Sequence, residues 1–137
     1  MLNSYSNCIA QINNSIKHRW SFVQIKGNKF VIKLLQAFYA YKIIDGYYFN
    51  LQERMTKNCT IYLKYYKGYS LIQKINIFHL PGNNYFLKKK KIIKKMKKNP
   101  RDIFFISTKN GIKGYRYTEM SKKSIEGGLL LCSVLTL

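Results

Sequence analysis

The sequence contains few acidic residues and few arginines. Only 5 of its 137 residues are Asp or Glu, whereas 25 are Lys or Arg, and the formal net charge at pH 7 is therefore +20. A globular protein with this charge repels itself unless an acidic partner neutralises it. The composition predicts nucleic acid as the first choice of partner and an anionic membrane surface as the second.

The scarcity of acids and histidines also limits catalysis. His18 and His79 have no carboxylate near them in the sequence, and five acids in all give poor support to paired-carboxylate chemistry. Cys8, Cys59 and Cys132 are far apart and form no C-x-x-C pair. We therefore expect buried free thiols, no metal, no cofactor, no small-molecule substrate and no enzymatic activity.

Long apolar runs are absent as well. No uncharged apolar stretch approaches the roughly 20 residues that a membrane span needs, and none follows a basic start as in a secretory signal. Hydrophobic residues nevertheless make up 47% of the chain, which is ample for a core and excludes simple disorder. The length predicts one domain or two small ones.

The residues that are abundant share a codon bias. Asn, Ile, Lys, Tyr and Phe supply 70 residues, whereas Ala, Gly, Pro and Arg supply 17. Codons of the first set can be read entirely in A and T, which indicates an AT-rich genome such as that of an organelle and explains part of the Lys content. Because Lys outnumbers Arg 21 to 4, point-charge contacts to phosphate should dominate over bidentate recognition of guanine.

Apolar periodicity predicts the elements of the first half of the chain. Helical spacing predicts a helix over about 3–17 and a second one that Asn28 caps and that runs to about Tyr41. A turn is expected at Lys67-Gly68, and a break at Asp45-Gly46. Alternation predicts strands over 20–26, 43–50, 59–66 and 71–78.

The pattern breaks at residues 80–84, which predicts a boundary between an N-terminal subdomain, 1–78, and a C-terminal one, 79–137. A basic helix is expected over 87–98, with Ile92, Ile93 and Met96 packed on strands. The remaining predictions are a strand over 103–107, a polar loop over 108–111, a short helix around 119–123 and an apolar strand over 129–134. The fold class is α+β: an N-terminal unit of helix, strand, helix and strands, and a C-terminal, mainly β unit with a basic helix.

The basic helix is the most conspicuous candidate site. Its lysines could contact phosphate, form a solvated face, or act with the segment 87–96 as a peripheral membrane or partner-binding module. Lys26 and Lys29 could add nonspecific attraction to phosphate. The lysines of the helix segment are Lys88, Lys89, Lys90, Lys91, Lys94, Lys95, Lys97 and Lys98.

Two loops are further candidates, and the first of them is the sharper one. The first is formed by Ser107, Thr108, Lys109, Asn110 and Gly111, whose hydroxyls, amide and permissive glycine can follow an irregular RNA surface and pair with 2′-hydroxyls. The second contains Pro81 and Gly82, next to which Tyr85 is placed to stack on an unpaired base. Either loop can also be an ordinary turn.

Four motifs in order and at approximate spacing carry a family resemblance. They are residues 61–65 (Ile-Tyr-Leu-Lys-Tyr), 79–86 around Pro81-Gly82, 106–112 around Ser107-Thr108, and 127–132 (Gly-Gly-Leu-Leu-Leu-Cys). Together they resemble the bacterial-type ribosomal protein S8 family of the small subunit, and the resemblance covers essentially the whole chain.

The resemblance implies a two-part α+β fold, binding to the central domain of small-subunit rRNA early in assembly, and neighbouring small-subunit proteins as partners. It carries the family's Ser-Thr loop over to Ser107, Thr108 and Gly111, while Lys109 and Asn110 stand where the family has Ser and Lys. The match begins almost at Met1, without room for a cleaved transit peptide. With the A/T-type composition, this favours a protein made inside an organelle, the mitochondrion rather than the plastid.

Overall fold

The computed structural model describes residues 2–50, 57–78, 86–87, 89–119 and 127–137. The chain forms two compact units, Met1–Gln73 together with Leu137, and Lys74–Thr136. The division therefore follows Gln73, whereas the boundary predicted from the sequence follows residue 78. Helices and antiparallel sheets in both parts confirm the α+β class.

The first unit places two helices on a three-stranded antiparallel sheet. Tyr5, Ile9 and Ile12 of the first helix are fully buried, which confirms the helical spacing read from the sequence. Asn28 caps the second helix as predicted, because its side chain accepts a hydrogen bond of 3.0 Å from the Val31 amide. The sheet order is β1-β3-β2. The elements are α1 (Leu2–Lys17), β1 (Phe22–Gly27), α2 (Lys29–Ala40), β2 (Ile44–Asn50) and β3 (Lys57–Leu63).

Two strand predictions in this unit need correction. The break expected at Asp45-Gly46 is a β-bulge inside β2, since the pairing shifts between Ile44 and Gly46 and the strand continues. The strand expected over 59–66 ends at Leu63. Beyond it, β4 (Tyr65–Tyr66) and β5 (Tyr69–Ser70) form a separate hairpin around the predicted turn, where Lys67 and Gly68 have φ of 51° and 83°.

The second unit is built around its last strand. Its main sheet has the order β6-β10-β8-β9, and β7 also pairs with β10. Nearly all residues of this strand are buried, so both of its faces are covered, which explains the run of Leu at its start. The elements are β6 (Ile72–Ile77, of which residues 74–77 belong to this unit), β7 (Phe86–Leu87), α3 (Lys89–Lys98), β8 (Asp102–Thr108), β9 (Gly111–Arg116), a 3₁₀ turn (Tyr117–Glu119) and β10 (Gly128–Thr136).

The basic helix α3 packs on this sheet by its apolar stripe, as predicted. Ile92 and Met96 are fully buried, and Ile93 is partly buried against the same cluster. Their partners on the strands are Phe104, Ile106, Tyr115 and Leu130. A 3₁₀ turn ends at Glu119, where the short helix predicted around 119–123 would begin, and residues 120–123 of that prediction lie outside the described residues.

Asp102 at the start of β8 gives a stability prediction. Burial raises the pKa of its carboxyl, and the Ser133 hydroxyl and the Arg101 charge offset this in part. A raised folded-state pKa means that the folded protein holds the proton more tightly. Its free energy of unfolding therefore falls as pH rises from the unfolded-state pKa, near 4, through the folded-state value.

Asp102→Asn, which retains a side-chain acceptor for Ser133, should remove this loss. We expect the variant to gain stability relative to the wild type on going from pH 4 to pH 7, as measured by urea unfolding followed by circular dichroism. Asp45→Asn, at an exposed position of the first unit, is the matched control. An equal gain in both variants would mean that the effect does not come from burial of the Asp102 carboxyl.

Candidate nucleic-acid interface

The predicted Ser-Thr loop is the tip of a tight β-hairpin between β8 and β9. Thr108 pairs with Gly111, so that only Lys109 and Asn110 form the turn. Gly111 has a φ of 105°, which L side chains rarely adopt. The polar loop expected over 108–111 is therefore shorter and more ordered, and its exposed residues are Lys109, Asn110 and Gly111.

The two hydroxyls of the hairpin have different surroundings. Thr108 Oγ1 donates to the Gly111 carbonyl at 2.8 Å and accepts from the Asn110 amide at 3.2 Å. Successive residues of a strand point to opposite faces, so Ser107 faces away from Thr108. Among the described residues the Ser107 hydroxyl has no hydrogen-bond partner, and it is half-buried. Thr108 thus shapes the turn, and Ser107 remains able to contact a ligand.

Gly128 fixes the position of Ser107 from the neighbouring strand. Leu129 pairs with Ser107 across β10 and β8, and Gly128 immediately precedes it. A Cβ at Gly128 would collide with the Ser107 carbonyl oxygen and lie 3.0 Å from Ile106 Cγ2. Only glycine allows this approach of the two backbones.

The helix α3 presents its lysines to solvent next to this sheet. Its sequence contains no acidic residue. Lys95 is half-buried, with its Nζ 4.7 Å from the centre of the Phe78 ring, a cation–π contact. The exposed lysines with described side chains are Lys90, Lys91, Lys94, Lys97 and Lys98.

The described residues hold no metal-ligand cluster, and their cysteines are buried. Within the described ranges, no three His, Cys, Asp or Glu side chains are grouped as metal ligands would be. Cys8, Cys59 and Cys132 are buried thiols that form no disulfide, as predicted. Burial raises the pKa of the Cys59 thiol to about 11, although a backbone hydrogen bond from Tyr48 opposes this in part. Such a thiol is protonated and inert at neutral pH.

The sequence model of the family described as ribosomal protein S8 matches residues 3–135, nearly the whole chain. The chain belongs to the ribosomal protein S8 family. It is 30% identical over 107 residues to small ribosomal subunit protein uS8m of Acanthamoeba castellanii, a match that covers 78% of this chain and 81% of the relative. The two matches confirm the family resemblance predicted from the sequence. This S8 protein is accordingly a structural, non-enzymatic component of the ribosome.

Part of the predicted site of this S8 protein lies within one unit. Ser107 to Gly111 and the lysines of α3 all belong to the second unit. Lys26 lies near the end of β1 and Lys29 begins α2, both exposed and both in the first unit. Pro81, Gly82, Tyr85 and Lys88, and the side chain of Lys89, lie outside the described residues.

Two residues that the sequence analysis missed belong to the same region of the S8 protein. Lys113 lies on β9 and pairs with Ile106, and Gly128 sets the approach to Ser107. Asn110-Gly111 is a turn signal, but the two glycines and two cations of 111–116 give no comparable signal for β9, on which Lys113 lies. The pair Gly127-Gly128 before an apolar strand is the corresponding signal for close backbone approach.

The alternative hypothesis, that α3 binds a membrane surface, requires apolar side chains that can insert into the bilayer. Ile92 and Met96, which would insert, are fully buried in the core of the second unit. In addition, none of the helices in the described part of this S8 protein has the length and apolar character that crossing a bilayer requires. A basic helix without an exposed apolar face favours an ionic contact over insertion.

Proposed function

We propose that this protein binds the central domain of small-subunit rRNA in the mitochondrial ribosome and supports early assembly of the subunit. The observation that carries the proposal is the placement, in one unit, of an exposed hairpin tip and a helix with five exposed lysines. The lysines supply attraction to phosphate that does not depend on sequence. The hairpin supplies polar groups that can follow an irregular RNA stem.

The mitochondrial assignment has independent support. The matched relative from Acanthamoeba castellanii is the mitochondrial protein uS8m, and the A/T-type composition of this chain fits an organellar gene. The small ribosomal subunit of the mitochondrion is therefore the location of this protein. Its partners are rRNA and neighbouring small-subunit proteins.

The hairpin can be tested by separating its two hydroxyls. We expect Ser107→Ala to weaken binding to a central-domain rRNA fragment about fivefold, roughly 1 kcal/mol, because one hydrogen bond to RNA is lost. Stability should not change, since this hydroxyl has no partner within the described part of the protein. The double variant with Thr108→Ala should lose roughly 1–3 kcal/mol of binding free energy. Isothermal titration calorimetry with the fragment measures both losses.

Thr108→Ser is the control, because it retains the hydroxyl that closes the turn. It should bind more tightly than Thr108→Ala and unfold at a higher urea concentration. An unrelated RNA stem gives the specificity control. If Ser107→Ala weakens binding to that stem as much as to the central-domain fragment, the hairpin does not select the RNA.

A further inference from the structure

A groove of about 570 Å³ opens in the first unit between α1 and β1. This volume lies within the range of small-ligand sites. None of the described residues that line it is charged. The lining residues that matter here are Gln11, Asn14 and Ser15 of α1, and Trp20, Phe22 and Gln24 at and before β1.

Trp20 is fixed by contacts with its neighbours, although about half of the residue is exposed to solvent. Its amide donates to the Ser15 carbonyl at 3.0 Å, and its own carbonyl accepts from the Tyr65 hydroxyl. The His18 imidazole stacks on the indole, with ring centres 5.3 Å apart and planes inclined by 26°. The residue is nevertheless 51% exposed. A fixed, half-exposed indole is a surface on which a second flat ring can stack.

We propose that this groove binds an unpaired nucleobase of single-stranded RNA, stacked on Trp20. The proposal rests on the RNA-binding function proposed above and adds a second contact in the other unit. Gln11, Asn14 and Gln24 are exposed, and their amides offer both donors and acceptors to the edge of a base. Phe22, 50% exposed at the same groove, extends the aromatic surface.

The charge around the groove favours RNA over a protein segment. No Asp or Glu occurs among residues 1–44. Lys17 ends α1, Arg19 precedes Trp20, and Lys26 lies further along β1; all three are exposed. An uncharged groove that is lined by aromatic and amide side chains and bordered by cations suits a base whose phosphates lie outside it.

Trp20 is the only tryptophan of the chain, so its fluorescence reports on this groove alone. We expect a hexamer of unpaired adenosines to quench the fluorescence of the full-length protein to saturation. A hexamer with the same backbone and no bases should leave it nearly unchanged. In fluorescence anisotropy with labelled hexamer, Trp20→Leu should bind about tenfold more weakly. Tyr69→Leu, at a 62% exposed tyrosine that does not line the groove, should bind as the wild type does.

Asn14→Ala provides a variant that keeps the fluorescent reporter. It should weaken binding of the adenosine hexamer without altering the circular dichroism spectrum. An unchanged spectrum shows that the weaker binding does not come from a loss of fold. Equal quenching by the abasic hexamer, no quenching by either, or equal affinities of the Trp20 and Tyr69 variants would each overturn the proposal. If Ser107→Ala still weakens binding of the central-domain fragment, only the inference about the groove fails. If Ser107→Ala has no effect on that binding either, the proposed function fails as well.

Discussion

Replacing Lys90, Lys94 and Lys97 together by glutamine is expected to weaken binding to small-subunit rRNA by about two orders of magnitude at 0.1 M salt. Each phosphate contact that is lost reduces the slope of log affinity against log salt concentration by roughly 0.7–0.9. Three contacts therefore flatten the slope by roughly 2–3. Filter binding between 0.05 and 0.3 M salt measures the affinity and the slope together.

The fold of this variant should survive, because the three side chains are exposed and point away from the sheet. Glutamine has nearly the helix propensity of lysine. Lys90 lies in the first turn of α3, near the positive end of the helix dipole, and no acidic residue in that turn offsets its charge. Removing this charge therefore lessens an unfavourable interaction with the dipole. Ile92 and Met96, which hold the helix on the sheet, are unchanged.

Lys33, Lys42 and Lys74 form the matched control, since all three are exposed and none lies on α3. Their replacement by glutamine removes the same charge. If the control set reduces the affinity and the slope equally, the effect belongs to the net charge of +20 and not to α3. If the slope does not change in the α3 variant, these lysines form a solvated face, as one interpretation of the sequence allowed.

Elements with a strong apolar period were predictable from sequence alone. Tyr5, Ile9 and Ile12 of α1 recur at helical spacing and are all buried. Val23 and Ile25 of β1 alternate with exposed residues, and both are buried. Local spacing is sufficient in these cases, because one face of each element is covered by the rest of its unit.

The hairpin that carries the candidate site was harder to predict because its order comes from pairing across the sheet. The segment 111–116 contains two glycines and two cations, and in isolation it resembles a polar loop. It becomes a strand because Tyr115 pairs with Phe104 and Gly114 with Phe105. Similarly, the Thr108 hydroxyl seemed available to RNA until its hydrogen bonds within the turn were seen.

Gly128→Ala is expected to destabilise the second unit by about 2–3 kcal/mol, the usual cost of forcing an extra group into a packed site. The new methyl group would collide with the Ser107 carbonyl oxygen, and Ile106 Cγ2 and the Ser107 carbonyl carbon lie 3.0 and 3.1 Å from it. Because the obstacle includes backbone, a side-chain rotation cannot relieve it. Urea unfolding followed by circular dichroism measures the loss.

The same substitution should also weaken binding to the central-domain fragment, since moving the Ser107 backbone moves the hairpin whose tip we propose contacts RNA. Gly46→Ala is the matched control, because a Cβ at that position in β2 meets no atom within 4 Å and its stability should stay within about 1 kcal/mol of the wild type. A Gly128 variant as stable as the Gly46 variant would mean that β10 and β8 can separate here without cost. A variant that loses stability but retains full affinity would show instead that the hairpin reaches the RNA independently of its support by β10.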